Sequence, residues 1–386
     1  MKRVVTSERV PIKMWLEELE DEAMAQVRNL ANLPFAFSHI AVMPDCHTGY
    51  GMPIGSVLAT REAVVPNAVG VDIGCGMCAL RTGIEEITAG DLKKVMRIAR
   101  DEIPVGHNWH KHARDETLMP PVKGDLPELR LNYEKATFQI GTLGGGNHFI
   151  EIQKGSDGYL WIMVHSGSRN LGYNVARHYN RLAEEMNEKY FSSANKKMGL
   201  AFFPLDTEAA TAYLAEMEYC IDFAFASRRI MMDRMVDALE AVLGEFSTDE
   251  MINESHNFAA WEEHFNQRVL VHRKGATRAF RGDHGMIPGS QGTRSYIVRG
   301  LGNPESFMSC SHGAGRVMGR RQAQRELDLE REIAFLDSQG VIHAIRSKRD
   351  LDEAPSAYKN IYEVMENQKD LAEAMVELTP LAVIKG

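Results

Sequence analysis

Asp72 and Cys75 stand three positions apart in Val69-Gly70-Val71-Asp72-Ile73-Gly74-Cys75-Gly76-Met77, with a glycine on each side of the thiol. Glycine lets the backbone turn tightly and come close to a ligand, so one carboxylate and one thiol can be aimed at a single point. A hard oxygen donor beside a soft sulfur donor suits a borderline divalent ion such as Mn, Fe, Co or Zn rather than Mg or Ca. The competing reading is a glycine-rich turn whose thiol is buried as a small hydrophobe. Histidines occur in three more polar stretches of the same kind, Gly144-Gly145-Gly146-Asn147-His148, Val164-His165-Ser166-Gly167-Ser168-Arg169-Asn170, and Ser255-His256-Asn257. A fourth, Ser311-His312-Gly313-Ala314-Gly315-Arg316, is expected to open a helix running toward Leu327 and to resemble an anion-binding terminus. One Asp, one Cys and three His can supply two metal sites if the thiolate bridges them, leaving one His for chemistry.

Other residues of these types carry weaker signals. Asp45 and His47 lie in Pro44–Pro53, too polar and glycine-rich for a core element, and are read as orienting ligands rather than binding an ion. Five cysteines at irregular spacing fit reduced thiols better than a disulfide framework. Cys75 and Cys78 form a lone C-x-x-C, but a strand from Met77 to Arg81 would carry Cys78 into a sheet and leave only Cys75 in the loop. His107, His110 and His112 share the loop-like segment Val105–Asp125, where surface histidines also collect. The net charge of −9 argues against blanket nucleic-acid binding. Local patches remain: Arg268, Arg273, Lys274, Arg278 and Arg281 form an acid-free run, and Arg316, Arg320, Arg321 and Arg325 follow. Each is either an RNA-facing patch or a solvated face.

These residues need a scaffold, and the chain supplies mixed elements. At 386 residues with no dividing linker it reads as one large domain spanning 1–386 with insertions. With 44% apolar and 25% charged residues, disordered and fibrous classes are excluded. No run of eighteen apolar residues and no signal-like N-terminal segment occurs, so a cytoplasmic protein without a membrane partner is expected. A helix is expected over Leu16–Leu33, stopped by Pro34, and then a strand Phe35–Met43 that delivers the Pro44–Pro53 loop. Short strands at Ser56–Ala59 and Ala63–Val65 and a helix at Asp91–Arg100 follow. The strands His148–Ile152 and Tyr159–His165 form a hairpin across Gly155–Gly158, bringing His148 and His165 to one edge. Leu205–Phe246 is helical throughout, as a long hairpin or a broken helix, with Met231, Met232 and Met235 in the core. Gln267–His272 and Ser295–Arg299 are strands flanking a loop at Gly285–Gly292 that holds Ser290. Irregular interleaving without a repeat gives an α+β class, with mixed sheets around a central metal-lined cleft.

Taken together, the glycine-flanked stretches from Pro44-Asp45-Cys46-His47 to Lys385-Gly386 resemble the RtcB family of RNA ligases. That family joins RNA 3′-phosphate or 2′,3′-cyclic phosphate ends to 5′-hydroxyl ends, in tRNA splicing or RNA repair. The resemblance implies two Mn2+ ions bridged by Cys75, with His148 and His165 completing one site and Asp72 and His256 the other. It also implies GTP as cosubstrate and His312 as the nucleophile that becomes guanylylated. Asn147, Glu151, Ser290, Ser295, Ala314, Gly315 and Lys385 match positions that hold the guanine nucleotide, and Arg169 matches one near the RNA end. An accessory activator protein is left open. Two other classes compete: a binuclear-metal phosphoesterase or nuclease acting on RNA, and a non-catalytic RNA-binding factor.

Overall fold

The computed structural model of the chain describes residues 1–190 and 196–386. Two sheets of mixed length dominate, with helices packed against them, as the α+β reading anticipates. The larger sheet has seven strands in the order Ile252–Ser255, Gly76–Arg81, Leu160–Ser166, Phe149–Gly155, Ala372–Lys385, Ser295–Gly300 and His284–Ile287. The other has six, in the order Arg3–Val5, Ile12–Met14, Ala36–Tyr50, Met52–Thr60, Gln267–Lys274 and Asn257–His264. A two-stranded pair, Ala276–Arg278 with Ser309–Ser311, continues from the second sheet toward the first.

The seven-stranded sheet converts sequence distance into proximity. Its first five strands are antiparallel neighbours, with Ser255 opposite Gly76, Met77 opposite His165, His165 opposite Phe149 and Phe149 opposite Lys385. His256, Cys75, His165, His148 and Lys385 therefore all sit at one edge of five consecutive strands. The hairpin expectation for His148 and His165 holds, with the arms at Phe149–Gly155 and Leu160–Ser166. Cys78 lies inside the strand Gly76–Arg81, with Sγ facing the Arg228 carbonyl at 3.8 Å. Only Cys75 of the C-x-x-C faces the edge.

Leu205–Phe246 is neither a hairpin nor broken but one 36-residue helix, Glu208–Leu243, capped by the Thr207 hydroxyl. No proline or glycine interrupts it, and it is buried along its length rather than on one stripe. Its first half contributes Tyr213, Met217 and Phe223 to one apolar cluster, and its second half contributes Met231, Met232, Met235 and Leu239 to another. Burial on several faces stabilises an unbroken helix more than propensity alone does. None of the helices among the described residues is long and apolar enough to cross a membrane.

Four expectations are corrected. The first helix is shorter, Asp21–Ala31. Pro44–Pro53 is no free loop: the strand runs from Ala36 to Tyr50, turns at Gly51 with φ +70°, and returns as Met52–Thr60. Register shifts on either side of His47 leave its stretch polar in a way that alternation cannot reveal. Gly285–Gly292 is half strand, since His284–Ile287 pairs with Tyr296–Arg299. Lastly, His312 does not open a helix. It follows the strand Ser309–Ser311 in a glycine-rich turn, and the next helix is Arg320–Glu326. The anion-binding helix terminus expected at His312 is thus absent, because Gly313, Gly315 and Gly319 shape a loop before any helix can start.

Candidate active site

Asp72 and Cys75 lie in the turn that precedes Gly76–Arg81, which is tied down from several sides. Asn257 donates its side-chain amide to the Asp72 carbonyl at 3.1 Å, Gly74 N–H to the Asn257 carbonyl at 2.8 Å, and His256 N–H to the Cys75 carbonyl at 2.8 Å. Beneath it Arg228, fully buried on the long helix, donates Nη1 to the carbonyls of Gly74 and Ser166, each at 2.9 Å, and Nε to Asn253 Oδ1 at 2.7 Å. One guanidinium thereby joins the strand ends that carry Cys75, His165 and His256.

At that edge Cys75 Sγ lies 3.5 Å from His148 Nε2 and 3.3 Å from His165 Nε2. Asp72 Oδ2 is 3.1 Å from His148 Nε2, and His165 Nε2 is 3.4 Å from His256 Nε2. These distances group Asp72 with His148 and His256 with His165, on either side of the thiol. The expected set of Cys75, His148 and His165 is drawn together as well, whereas Asp72 lies beside His148 and His256 beside His165. Burial lowers the pKa of His148, and burial, with the other ring titrations of the cluster opposing a second charge, pushes His165 and His256 well below their ordinary value. All three are neutral imidazoles with a nitrogen lone pair to give. The Leu143 carbonyl, 3.0 Å from His148 Nδ1, can only accept and draws the ring proton to Nδ1, whereas the Arg169 guanidinium beside that nitrogen can only donate and draws it to Nε2. Arg169 Nη1 lies 3.2 Å from the same ring nitrogen, and its guanidinium covers Gly144. Burial and the Asp72 charge push the Cys75 thiol up, so a bound cation is what would make it a thiolate. Cys75 Sγ, His148 Nε2 and His165 Nε2 lie within 4.8 Å of one another, and the donor set of imidazole, thiol and carboxylate fits a transition-metal centre.

His312 approaches from the end of the Ser309–Ser311 strand of the two-stranded pair, and Asp45 from the six-stranded sheet. Its ring centroid is 4.8 Å from that of His256. Asp45, fully buried in the long strand Ala36–Tyr50, accepts from His312 Nδ1 at 2.6 Å and from His312 N–H at 3.1 Å, both at Oδ2. Burial would raise the Asp45 carboxyl, but the facing His312 and Lys359 hold it below its ordinary value, so it remains an acceptor. With Nδ1–H engaged, Nε2 carries the lone pair. Gly315 has φ +74°, and a Cβ there would fall 2.1 Å from the Asp45 carbonyl oxygen, so only glycine lets the loop close over Asp45. The reading of Asp45 as an orienting group matches this contact, although its partner is His312. His47 lies beside it, with Nδ1 3.0 Å from the Asp45 carbonyl, and burial lowers its pKa to about 4.

Between the two sheets opens a cavity of about 690 Å³, lined by Asp72, Cys75, His165, His256 and His312 and, farther out, by Asn147, Glu151, Ser290, Ala314, Gly315 and Lys385. Ser295 stands one layer behind, its Oγ accepting from Gln153 at 3.1 Å and from Gly289 N–H at 3.2 Å, so it braces the wall rather than facing the space. Burial raises Glu151 to about 7, against the opposing charge of Lys385. Burial lowers Lys385 in turn, partly offset by Glu353 and Glu151. The last strand, Ala372–Lys385, pairs Lys385 with Phe149, so the C-terminal lysine is docked, not frayed.

Some cavity residues carry no signal in the sequence. Glu353 and Tyr358 line the wall from a stretch with no chemical spacing. Lys274 falls in a run of arginines that reads as surface, yet it is buried, donates to the carbonyls of Tyr50 at 2.7 Å and Asn67 at 3.2 Å, and is brought down to about 7 by desolvation. The basic run around it is no continuous patch: Arg273 is fully buried in a two-pronged pair with Glu262 at 2.6 and 2.9 Å, and Arg278 pairs with Asp283 at 3.2 Å. The acids that neutralise it come from a neighbouring strand and a following turn. His107 and His112 are exposed, and His110 bonds the Ile140 carbonyl at 3.1 Å, away from the cluster.

The family model described as tRNA-splicing ligase RtcB matches the chain over residues 26–126 and 122–386. The RNA-splicing ligase RtcB of Escherichia coli K12 is 40% identical over 412 aligned residues, which cover 99% of this chain and 99% of that protein. The tRNA-splicing ligase RtcB of Thermococcus kodakarensis is 30% identical over 460 residues, covering 98% of this chain and 95% of its own. Its counterpart in Nanoarchaeum equitans is 31% identical over 463 residues, covering 100% and 95%.

Proposed function

Because the chain belongs to the RtcB family of RNA-splicing ligases, we propose that residues 1–386 form one catalytic unit. Its reaction would be GTP- and Mn-dependent joining of RNA 3′-phosphate or 2′,3′-cyclic phosphate ends to 5′-hydroxyl ends. The observation that carries this reading is the bond of His312 Nδ1–H to buried Asp45, which leaves Nε2 as a free nucleophile beside the donor cluster. Asp72, Cys75 and His148 would hold one Mn2+, and Cys75, His165 and His256 a second. When bound, these ions would withdraw charge from phosphate oxygens.

The chain's own residues account for the remaining steps. His312 Nε2 attacks the α-phosphorus of GTP, the bond to the β-phosphate oxygen breaks, and pyrophosphate leaves. Asp45 keeps the Nδ1 proton in place and balances the positive charge that the ring develops. Glu151 and Lys385 take the guanine, with Asn147, Ser290, Ala314 and Gly315 around the nucleotide and Ser295 behind them. A 2′,3′-cyclic end must first take up water, which breaks the P–O2′ bond and leaves a 2′-hydroxyl and a 3′-phosphate, and GMP then passes from His312 to the RNA 3′-phosphate. The 5′-hydroxyl oxygen attacks the activated 3′-phosphorus, GMP departs, and a phosphodiester remains. Arg169, whose Nη1 lies 3.2 Å from His148 Nδ1, would meet the RNA end. To test this, the protein is incubated with α-labelled GTP and Mn2+ and assayed for an acid-labile, alkali-stable label. The label should form, and His312→Ala should lose it while keeping its metal. RNA cleavage without label would instead identify a phosphoesterase, and RNA binding without turnover a non-catalytic factor.

A further inference from the structure

Glu353 is 3% exposed, ends the short turn Lys348–Glu353, and stands on the cavity wall. A carboxylate so buried needs close partners, and this one collects three hydrogen-bond donors and one further cation at ion-pair distance. Oε1 accepts from Arg316 Nη1 at 3.0 Å and from Arg320 Nε at 2.8 Å. Oε2 accepts from the Tyr358 hydroxyl and lies 3.8 Å from Lys385 Nζ. Burial would raise its pKa, but Lys385, Arg316 and Arg320 hold it below the ordinary value, so the charge stays.

The three cations are not equivalent. Arg316 also lines the cavity but its donors are taken up by the protein, with Nε on the Met318 carbonyl at 3.0 Å, Nη2 on the Asp352 carbonyl at 2.5 Å, and Nη1 also 3.4 Å from the Tyr358 hydroxyl. It braces Glu353. Arg320 bonds Glu353 through Nε and lines the cavity, with Nη2 so near Gly146 that a Cβ there would lie 3.1 Å away. Gly146 directly precedes Asn147 and His148, so this guanidinium leans over the turn that leads to the donor cluster. Lys385 lines the cavity on the Glu151 side, its Nζ 5.5 Å from the Phe149 ring centroid. One carboxylate thus fixes two cavity-facing cations, one beside the guanine-side residues and one toward the phosphate chemistry.

We propose that Glu353 is a positioning residue that sets Lys385 for guanine selection and Arg320 for the phosphates, and so couples the two ends of the bound nucleotide. This rests on the GTP-dependent reading of the same cavity. Glu353→Gln keeps the volume and one acceptor but removes the charge. Label formation is measured against GTP and against ATP, alongside thermal melting. The GTP concentration for half-maximal labelling should rise about tenfold, more than the plateau rate falls, and the preference for GTP over ATP should narrow. Adding Glu353→Gln to Lys385→Ala should narrow that preference no further, since both act through one ammonium. A wild-type GTP dependence and preference in Glu353→Gln, or additive loss of preference in the double variant, overturns the proposal. Should Glu353→Gln not melt cooperatively, Glu353→Asp decides. Its carboxylate is drawn back by one methylene, and unchanged preference there is equally contradictory. A wild-type protein that takes no label contradicts the ligase reading instead, and calorimetric GTP and ATP affinities of the same variants still test Glu353.

Discussion

At the residue scale, the two histidine roles differ by what holds Nδ1. A neutral backbone carbonyl holds it in His148, which suits a ligand, and a buried carboxylate holds it in His312, which suits a nucleophile gaining charge. Asp45→Asn removes that charge and permits the opposite tautomer, so adduct formation should fall at least about a hundredfold with metal content intact, by label incorporation and metal analysis. Glu151 supplies a pH test. Its carboxyl titrates near 7 because it is buried, so below pH 7 the free protein holds a proton that guanine N–H donors would have to displace. GTP affinity should weaken up to about tenfold per unit as pH falls below 7 and level off above it, whereas Glu151→Gln should lack this component by calorimetry. The stability effect has the opposite sense. A folded-state value raised above 4.5 contributes stability that is full below 4.5 and is lost as pH rises through about 7.

At the scale of elements, five strand ends and one helix place the cluster. Arg228 links the long helix to three of those ends, so Arg228→Met should cost roughly 3 kcal/mol or more, because it strips the buried Gly74 and Ser166 carbonyls of their guanidinium donors. Bound Mn2+ should drop in the same variant, as read by chemical unfolding and by electron paramagnetic resonance of added Mn2+. Much of this was legible in the sequence: the hairpin that joins His148 to His165, and the separation of Cys75 from Cys78, follow from strand period and turn chemistry. What was hidden depends on tertiary context. The polar stretch around Asp45 reads as a loop, yet it pairs within a long, irregular hairpin. The Leu205–Phe246 region lacks one clean apolar stripe because the helix is buried on several faces, so its continuity could not be read from periodicity. The helix expected at His312 begins only at Arg320, after the loop that Gly313, Gly315 and Gly319 shape.

Over the whole molecule, the cavity separates His312, at the end of the pair formed by Ala276–Arg278 and Ser309–Ser311, from the donor cluster at the end of the seven-stranded sheet. The net charge of −9 leaves RNA attraction to local cations, and in the acid-free run around Lys274 only Arg268, Arg278 and Arg281 are exposed, since Arg273 and Lys274 are buried. Arg321 and Arg325, exposed beside the cavity-lining Arg320, are better placed. Changing both to Gln should reduce the salt slope of single-stranded RNA binding by about 1.4 and leave guanylylation intact, whereas Lys274→Glu should mainly destabilise the fold. The central claim is that His312 Nε2 carries the nucleotide. Its most direct test is peptide mapping by mass spectrometry after reaction with GTP and Mn2+ under alkaline digestion. The expected result is one GMP adduct on the peptide containing His312, and a GMP adduct mapped to another residue, His47 or His284 among them, would contradict it.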